Sequence, residues 1–269
     1  AGHTFFHRFP SKAWFPFVRM VPHCSGHCYT DPYLYEEDID VTRNLFIMQI
    51  APRKVINAWC LYDWANSAYN LVITSTIFPA YFEGITKNRL PNNEIEFMGR
   101  RFVNTALYNY TLGIAFIVVA LMSPILSSIA DYKGNKKNFM RFFCVLGSVS
   151  CMALYFFAPE NEAGKIGALS GMTTNLGIFC MLISCIAFWG SLVFYNSFLP
   201  DLVPEHLRDR ISARGFTWGY IGSVILQILC FIVVFMPLSF GLADNDFGKE
   251  IMPARVSFVL VGVWWLFFG

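Results

Sequence analysis

The sequence predicts an all-α, multi-pass membrane protein. Three observations carry this. Of its 269 residues, 55% are hydrophobic and only 14% charged, with a mean hydropathy of +0.47, whereas soluble domains carry roughly 25% charged residues. Runs without Asp, Glu, Lys, Arg or His extend over 102–130, 142–159, 166–200, 215–243 and 256–269, and a helix needs about 20 apolar residues to cross a bilayer. Finally, the run at 55–82 has the same character apart from one carboxylate, Asp63. A net charge of +2 gives no reason to expect a nucleic-acid partner; the expected partners are the lipid bilayer and a small-molecule substrate.

Residues 1–49 stand apart as an irregular leader. They hold four of the five histidines, His3, His7, His23 and His27, with Cys24 and Cys28. The His-Cys pairs do not meet structural zinc spacings, and no second ligand pair follows. Neither a metal site nor a cofactor is expected. Of the eight cysteines, Cys60, Cys144, Cys151, Cys180, Cys185 and Cys230 lie in apolar runs, where a thiol serves as a small hydrophobe. The chain does not begin with Met, so a fragment is expected, with the first span as its targeting signal.

The membrane domain is expected over 50–269. Arg53 and Lys54 mark the interface before span one, 55–82, and Pro79, Phe78, Tyr81 and Phe82 close it. Asp63 lies about 13 Å along this helix from Lys54. On helical spacing Asp63, Ser67, Asn70 and Thr74 form one stripe with Asn66 on its shoulder. A carboxylate in hydrocarbon is costly and ordinarily faces a cavity, a partner or a substrate path. A polar loop, 83–101, follows, with Pro91-Asn92-Asn93 as its turn.

Span two, 102–129, carries Gly113 and Pro124. Next come Asp131-Tyr132-Lys133-Gly134-Asn135-Lys136-Lys137, a tight charged turn. Span three is read at 139–157 and span four at 174–199. The fourth ends in Tyr195-Asn196-Ser197-Phe198-Leu199-Pro200. The turn at 201–210, with Arg208, Arg210 and Arg214 at and beyond it, falls on the side of the Lys133 turn and suits a cytoplasmic placement. Span five, 216–237, opens on Gly215, Gly219 and Gly222, a spacing that lets helix backbones approach closely. A sixth span, 256–269, is cut off at Gly269, and its Trp264 and Trp265 read as packing or interface aromatics.

The turn after span two resembles the major facilitator superfamily, whose signature there runs G-x-x-x-D-R-x-G-R-R. Asp131, Gly134, Lys136 and Lys137 match in position or charge, while Ser127, Tyr132 and Asn135 depart from it. The resemblance implies a cytoplasmic latch of these residues with Arg214; a plain positive-inside anchor explains the lysines equally well. Tyr62-Asp63-Trp64-Ala65-Asn66-Ser67-Ala68-Tyr69, Ile77-Phe78-Pro79-Ala80-Tyr81-Phe82 and the motif at 195–200 are similar to the "unknown major facilitator" family, which includes autophagy-related vacuolar amino-acid effluxers of fungi. That likeness implies the six-helix N-terminal half of a twelve-helix transporter, built as 3+3 inverted repeats with its sixth helix truncated and its C-terminal half missing. The implied setting is a plasma membrane, or a vacuolar one in a fungus.

In that architecture spans one and four face a central cavity. The expected substrate and proton pathway is therefore Asp63, Asn66, Ser67, Asn70 and Thr74, with Tyr195 and Asn196 opposite. Desolvation favours the neutral form of a carboxylate, which suits a proton carrier. The competing reading pairs Asp63 with Arg214 or makes it a cap. An intramembrane enzyme would need a base, nucleophile or metal cluster at depth; the spans hold no His and one acid, and no catalytic residue is expected. A non-transporting receptor or assembly subunit is the third alternative.

Overall fold

Pro52, in extended conformation, precedes α1, Arg53–Tyr69, which runs without a break into a π-helical segment, Asn70–Ile77, and then α2, Phe78–Thr86. This is the segment expected as the first span, seen in a computed structural model that describes residues 50–87, 91–133, 135–159, 161–162, 165–166, 171–242 and 246–269. The leader with His23, Cys24, His27 and Cys28, and Gly134 of the expected latch, lie outside the described residues.

The π register has local causes. Pro79 has no N–H to give the carbonyl of Ser75, and its ring would clash with that carbonyl in an α-helix. The run Val72-Ile73-Thr74, with Thr76 and Ile77, is β-branched and tolerates the tight α turn poorly. Ser75 Oγ donates to Asn70 O at 2.9 Å and Thr76 Oγ1 to Leu71 O at 2.7 Å, supporting the wider turn from the side chains.

The expected polar loop after the first span is more structured than anticipated. Pro91–Asn93 forms a 3-10 turn, and β1, Glu94–Phe97, pairs antiparallel with β2, Arg100–Val103. The two-residue turn has Met98 at φ 49° and Gly99 at φ 75°, the doubly left-handed form whose twist suits a hairpin and that glycine adopts freely. Met98 N–H donates to Asn175 Oδ1 at 3.1 Å, anchoring the hairpin tip.

The remaining spans are α3, Asn104–Lys133; α4, Lys136–Ala153; α5, Gly171–Leu202; α6, Glu205–Phe235; and α7, Asp246–Phe268. A two-residue ladder, β3 Asn161–Glu162 with β4 Lys165–Ile166, lies between α4 and α5. By length and composition, five helices among the described residues can cross a membrane: those starting at Asn104, Lys136, Gly171, Glu205 and Ile251. Every one extends past its expected span at one or both ends. The turn expected at 201–210 shrinks to Val203 and Pro204, and Arg208, Arg210 and Arg214 ride on the first turns of α6. Glu205 in that first turn complements the helix dipole. The last helix begins not at 256 but at Asp246, and its part apolar enough to cross a membrane runs from Ile251 to Phe268.

All these elements belong to one unit, Leu45–Gly269. α1 packs along α6 and α7, α4 along α5 and α7, and α3 along α5. The core is aromatic. Phe78, Phe82, Phe157, Phe194, Phe258, Tyr69 and Trp265 are its largest fully buried side chains, and the six cysteines from apolar runs are buried free thiols.

Of the latch residues, Asp131 falls on the last turn of α3. Lys136, at the N-terminus of α4, reaches Asp201 Oδ2 at 2.9 Å and donates to Ser197 O at 3.2 Å, so it ties α4 to the C-terminal end of α5. Lys137 and Arg214 are exposed.

Candidate functional site

Helix α1 presents Asp63 to α6 at the point where α6 has no side chain. Gly215, Gly219 and Gly222 are all buried and fall on the face of α6 that meets α1. A Cβ at 219 would lie 2.7 Å from Asp63 Oδ2 and 2.9 Å from Ser67 Oγ. At 215 it would meet Trp59 and the Tyr195 hydroxyl, each at 2.7 Å, and at 222 it would stand 2.5 Å from the Trp64 carbonyl oxygen. The glycine stripe expected to serve packing does so, and the surface it packs against includes the carboxylate. Gly222→Ala is therefore expected to part α1 from α6, because no rotamer moves a backbone carbonyl, and to lose about 1–3 kcal/mol. Thermal unfolding in detergent would show it, with Gly113→Ala, where nothing lies within 4 Å of the added carbon, as the near-neutral control.

Asp63 is 3% exposed. Ser67 Oγ donates to its Oδ1 at 2.6 Å, while Oδ2 is buried with no hydrogen-bond partner. Arg214 does not answer it, and among the described residues no Lys or Arg comes within ion-pair distance of Asp63. An acceptor left this way is costly in a protein interior and calls for a donor.

The carboxylate lines a cavity of about 320 Å³. Asp63, Ser67, Asn70, Leu71 and Ser75 form its wall from the first span, Phe188, Trp189 and Leu192 from α5, and Phe216, Tyr220 and Ser223 from α6. Three of the seven expected pathway residues thus come together: Asp63, Ser67 and Asn70. Thr74 does not join them. The π segment advances the register, so Ser75 takes the next place on the stripe, while Thr74 offers its carbonyl to the Tyr108 hydroxyl at 2.5 Å. Asn66 is fully buried between α1 and α5, where Ser191 Oγ reaches its Oδ1 at 3.2 Å.

Tyr195 is buried too, but as packing. Its ring stacks on Trp59 at 4.3 Å and 6°, and its carbonyl accepts the Trp59 indole N–H at 3.0 Å. Asn196, one residue on, points the other way and is exposed. The wall residues that the sequence reading omitted are Leu71 and Ser75 of the first span, Phe188, Trp189 and Leu192 of α5, and the whole contribution of α6. Tyr220 and Ser223 flank Gly219 at i+1 and i+4, so the glycine stripe was itself the available signal. Among the described residues no group of three His, Cys, Asp or Glu side chains is placed to hold a metal ion.

Fold and site together define an integral, multi-pass membrane protein with a buried carboxylate on the wall of a largely apolar cavity. More narrowly, the chain belongs to the vacuole effluxer Atg22-like family, related to the major facilitator superfamily, whose model it matches over residues 51–269. It is 34% identical over 209 residues to the uncharacterized MFS-type transporter YxiO of Bacillus subtilis, an alignment covering 78% of this chain and 43% of that one. It is 25% identical over 229 residues to autophagy-related protein 22-1 of Aspergillus clavatus and 26% over 229 to autophagy-related protein 22-2 of Neosartorya fischeri, each covering 62% of this chain and 35% of the relative. The chain thus spans less than half the length of these curated relatives. No solved structure matches it.

Proposed function

We propose that this protein is a secondary transporter of small solutes working by alternating access, with Asp63 carrying the coupling proton. The observation behind this reading is the free Oδ2 of a buried carboxylate at a cavity wall. A site of this kind in a membrane span ordinarily belongs to a substrate or ion path. The names of the similar proteins, an MFS-type transporter and a vacuole effluxer family, support the same reading. Amino acids are the substrate class we assign. Since the aligned relatives are more than twice as long, we assign the facing half of the cavity to a second six-helix half, each half being a pair of inverted three-helix repeats.

The latch role remains our proposal for Asp131, Gly134, Lys136, Lys137 and Arg214. The tie from Lys136 to the end of α5 supports it, because such a contact forms only while these helix ends stay together.

Counterflow tests the carrier reading. Proteoliposomes holding the protein with its second half, preloaded with unlabelled amino acids, are expected to accumulate external radiolabelled amino acid transiently above equilibrium. Equilibration no faster than in empty liposomes would instead favour a receptor or assembly subunit.

A further inference from the structure

The cavity carries one formal charge and no answering one. Asp63 is the single carboxylate on its wall, beside one phenol, Tyr220, and no Lys, Arg or His lines it. A ligand carboxylate brought here would be desolvated unpaired, which is strongly unfavourable. An ammonium group meets the opposite situation. It finds a buried carboxylate oxygen in need of a donor, with the Ser67 hydroxyl beside the carboxylate and the polar groups of Asn70, Ser75 and Ser223 further along the same wall. Around these polar groups are the rings of Phe188, Trp189, Phe216 and Tyr220, with Leu71 and Leu192. Rings attract a cation through their faces and accept a hydrocarbon body equally well. The volume, about 320 Å³, falls at the small end of small-molecule sites.

Asp63 also has only one oxygen to give, since Oδ1 is held by Ser67. A proton and an ammonium cannot both occupy Oδ2. We propose that Asp63 is a single seat for one positive charge, taken in turn by a proton and by the ammonium group of an amphipathic amine, so that the protein exchanges one amine cation for one proton. This rests on the carrier reading above and narrows it: this half of the protein recognises the cationic end of its cargo and has no use for a carboxylate. The exchange balances in charge, one proton leaving the carboxyl group as one ammonium arrives.

The other titratable or charged groups nearby are Cys60 and Tyr62 on α1, Tyr195 on α5 and, exposed on α6, Tyr220 and Arg214. Thiols, phenols and guanidinium groups with ordinary values keep their charge between about pH 5 and pH 7. Of the groups around the cavity, Asp63 is the one left for a proton and an ammonium to compete for.

Equilibrium dialysis of radiolabelled phenethylamine against the full protein in detergent tests the proposal without requiring transport. Amine affinity is expected to fall with pH, approaching tenfold per unit where the carboxyl is mostly protonated. 3-Phenylpropionate, of the same shape with the opposite charge, should not compete. Asp63→Asn should weaken amine binding at least about tenfold and remove its pH dependence. Tyr220→Ala, at an exposed position that spares the fold, should weaken it about three- to fivefold and keep that dependence. Amine affinity flat across this pH range, equal competition by 3-phenylpropionate, or no amine binding at all would overturn the proposal. Counterflow of amino acids alongside any of those results would leave the carrier reading standing. Proton-competitive amine binding without counterflow would remove the carrier and keep the site.

Discussion

Asparagine in place of Asp63 is expected to abolish substrate-driven proton flux in proteoliposomes while leaving the protein's yield and melting temperature nearly unchanged. The two halves of this expectation have one cause. Asparagine has the shape of aspartate, and its amide oxygen can still accept from Ser67, so the 2.6 Å contact that holds the side chain survives. What disappears is an ionisable oxygen. A carboxylate at membrane depth costs about 3 kcal/mol on insertion scales, so its replacement by a neutral amide adds no burden to the fold. No cationic partner is stranded, because among the described residues none is paired with Asp63. A purely structural Asp63 would give the reverse pattern: lowered stability and flux reduced only in proportion to folded protein. Flux equal to that of the wild type in the well-folded variant would remove the coupling role.

How far the sequence could be read depends on what marks the membrane. Charge depletion pointed to the five helices that are long and apolar enough to cross a membrane, because burial of a charged side chain in hydrocarbon is penalised wherever it occurs. It could not locate helix ends. Charged residues mark where water begins, and a helix carries on into water if its backbone is content there. Glu205 to Arg210 illustrate this, read as part of a turn and found as the opening of α6. Asp63, Ser67 and Asn70 were legible from a 3.6-residue period; Thr74 was not, since the period itself changes at Asn70. The sequence clue was Pro79, which disturbs the carbonyl four residues upstream. The hairpin at Glu94–Val103 was legible in principle, as alternating charged and apolar residues around Met98-Gly99, but its polarity read as loop.

The pairing of Gly147 with Trp265 is expected to show the largest energetic coupling in the bundle. Trp265, on α7, is fully buried, with its ring 5.1 Å from Tyr69 and 6.4 Å from Phe188. Its far edge occupies the space that a side chain on α4 would need, for a Cβ at 147 would stand 2.2 Å from Cη2 and 2.5 Å from Cζ3. The indole is rigid and held by rings on other helices, so Gly147→Ala should force α4 and α7 apart at a cost of about 2–3 kcal/mol. Trp265→Ala alone should cost about 3 kcal/mol, toward the low end for emptying a large aromatic site. Between helices in lipid there is no transfer from water to lose, and only packing contacts count. In the Trp265→Ala background the added methyl meets a void instead of a ring, so Gly147→Ala should then be close to neutral. The double-mutant cycle, read from unfolding in mixed micelles, should yield a coupling of about 2 kcal/mol. Simple additivity would mean that the two helices are not held at this distance, and the placement of α7 against α4 would fall with it.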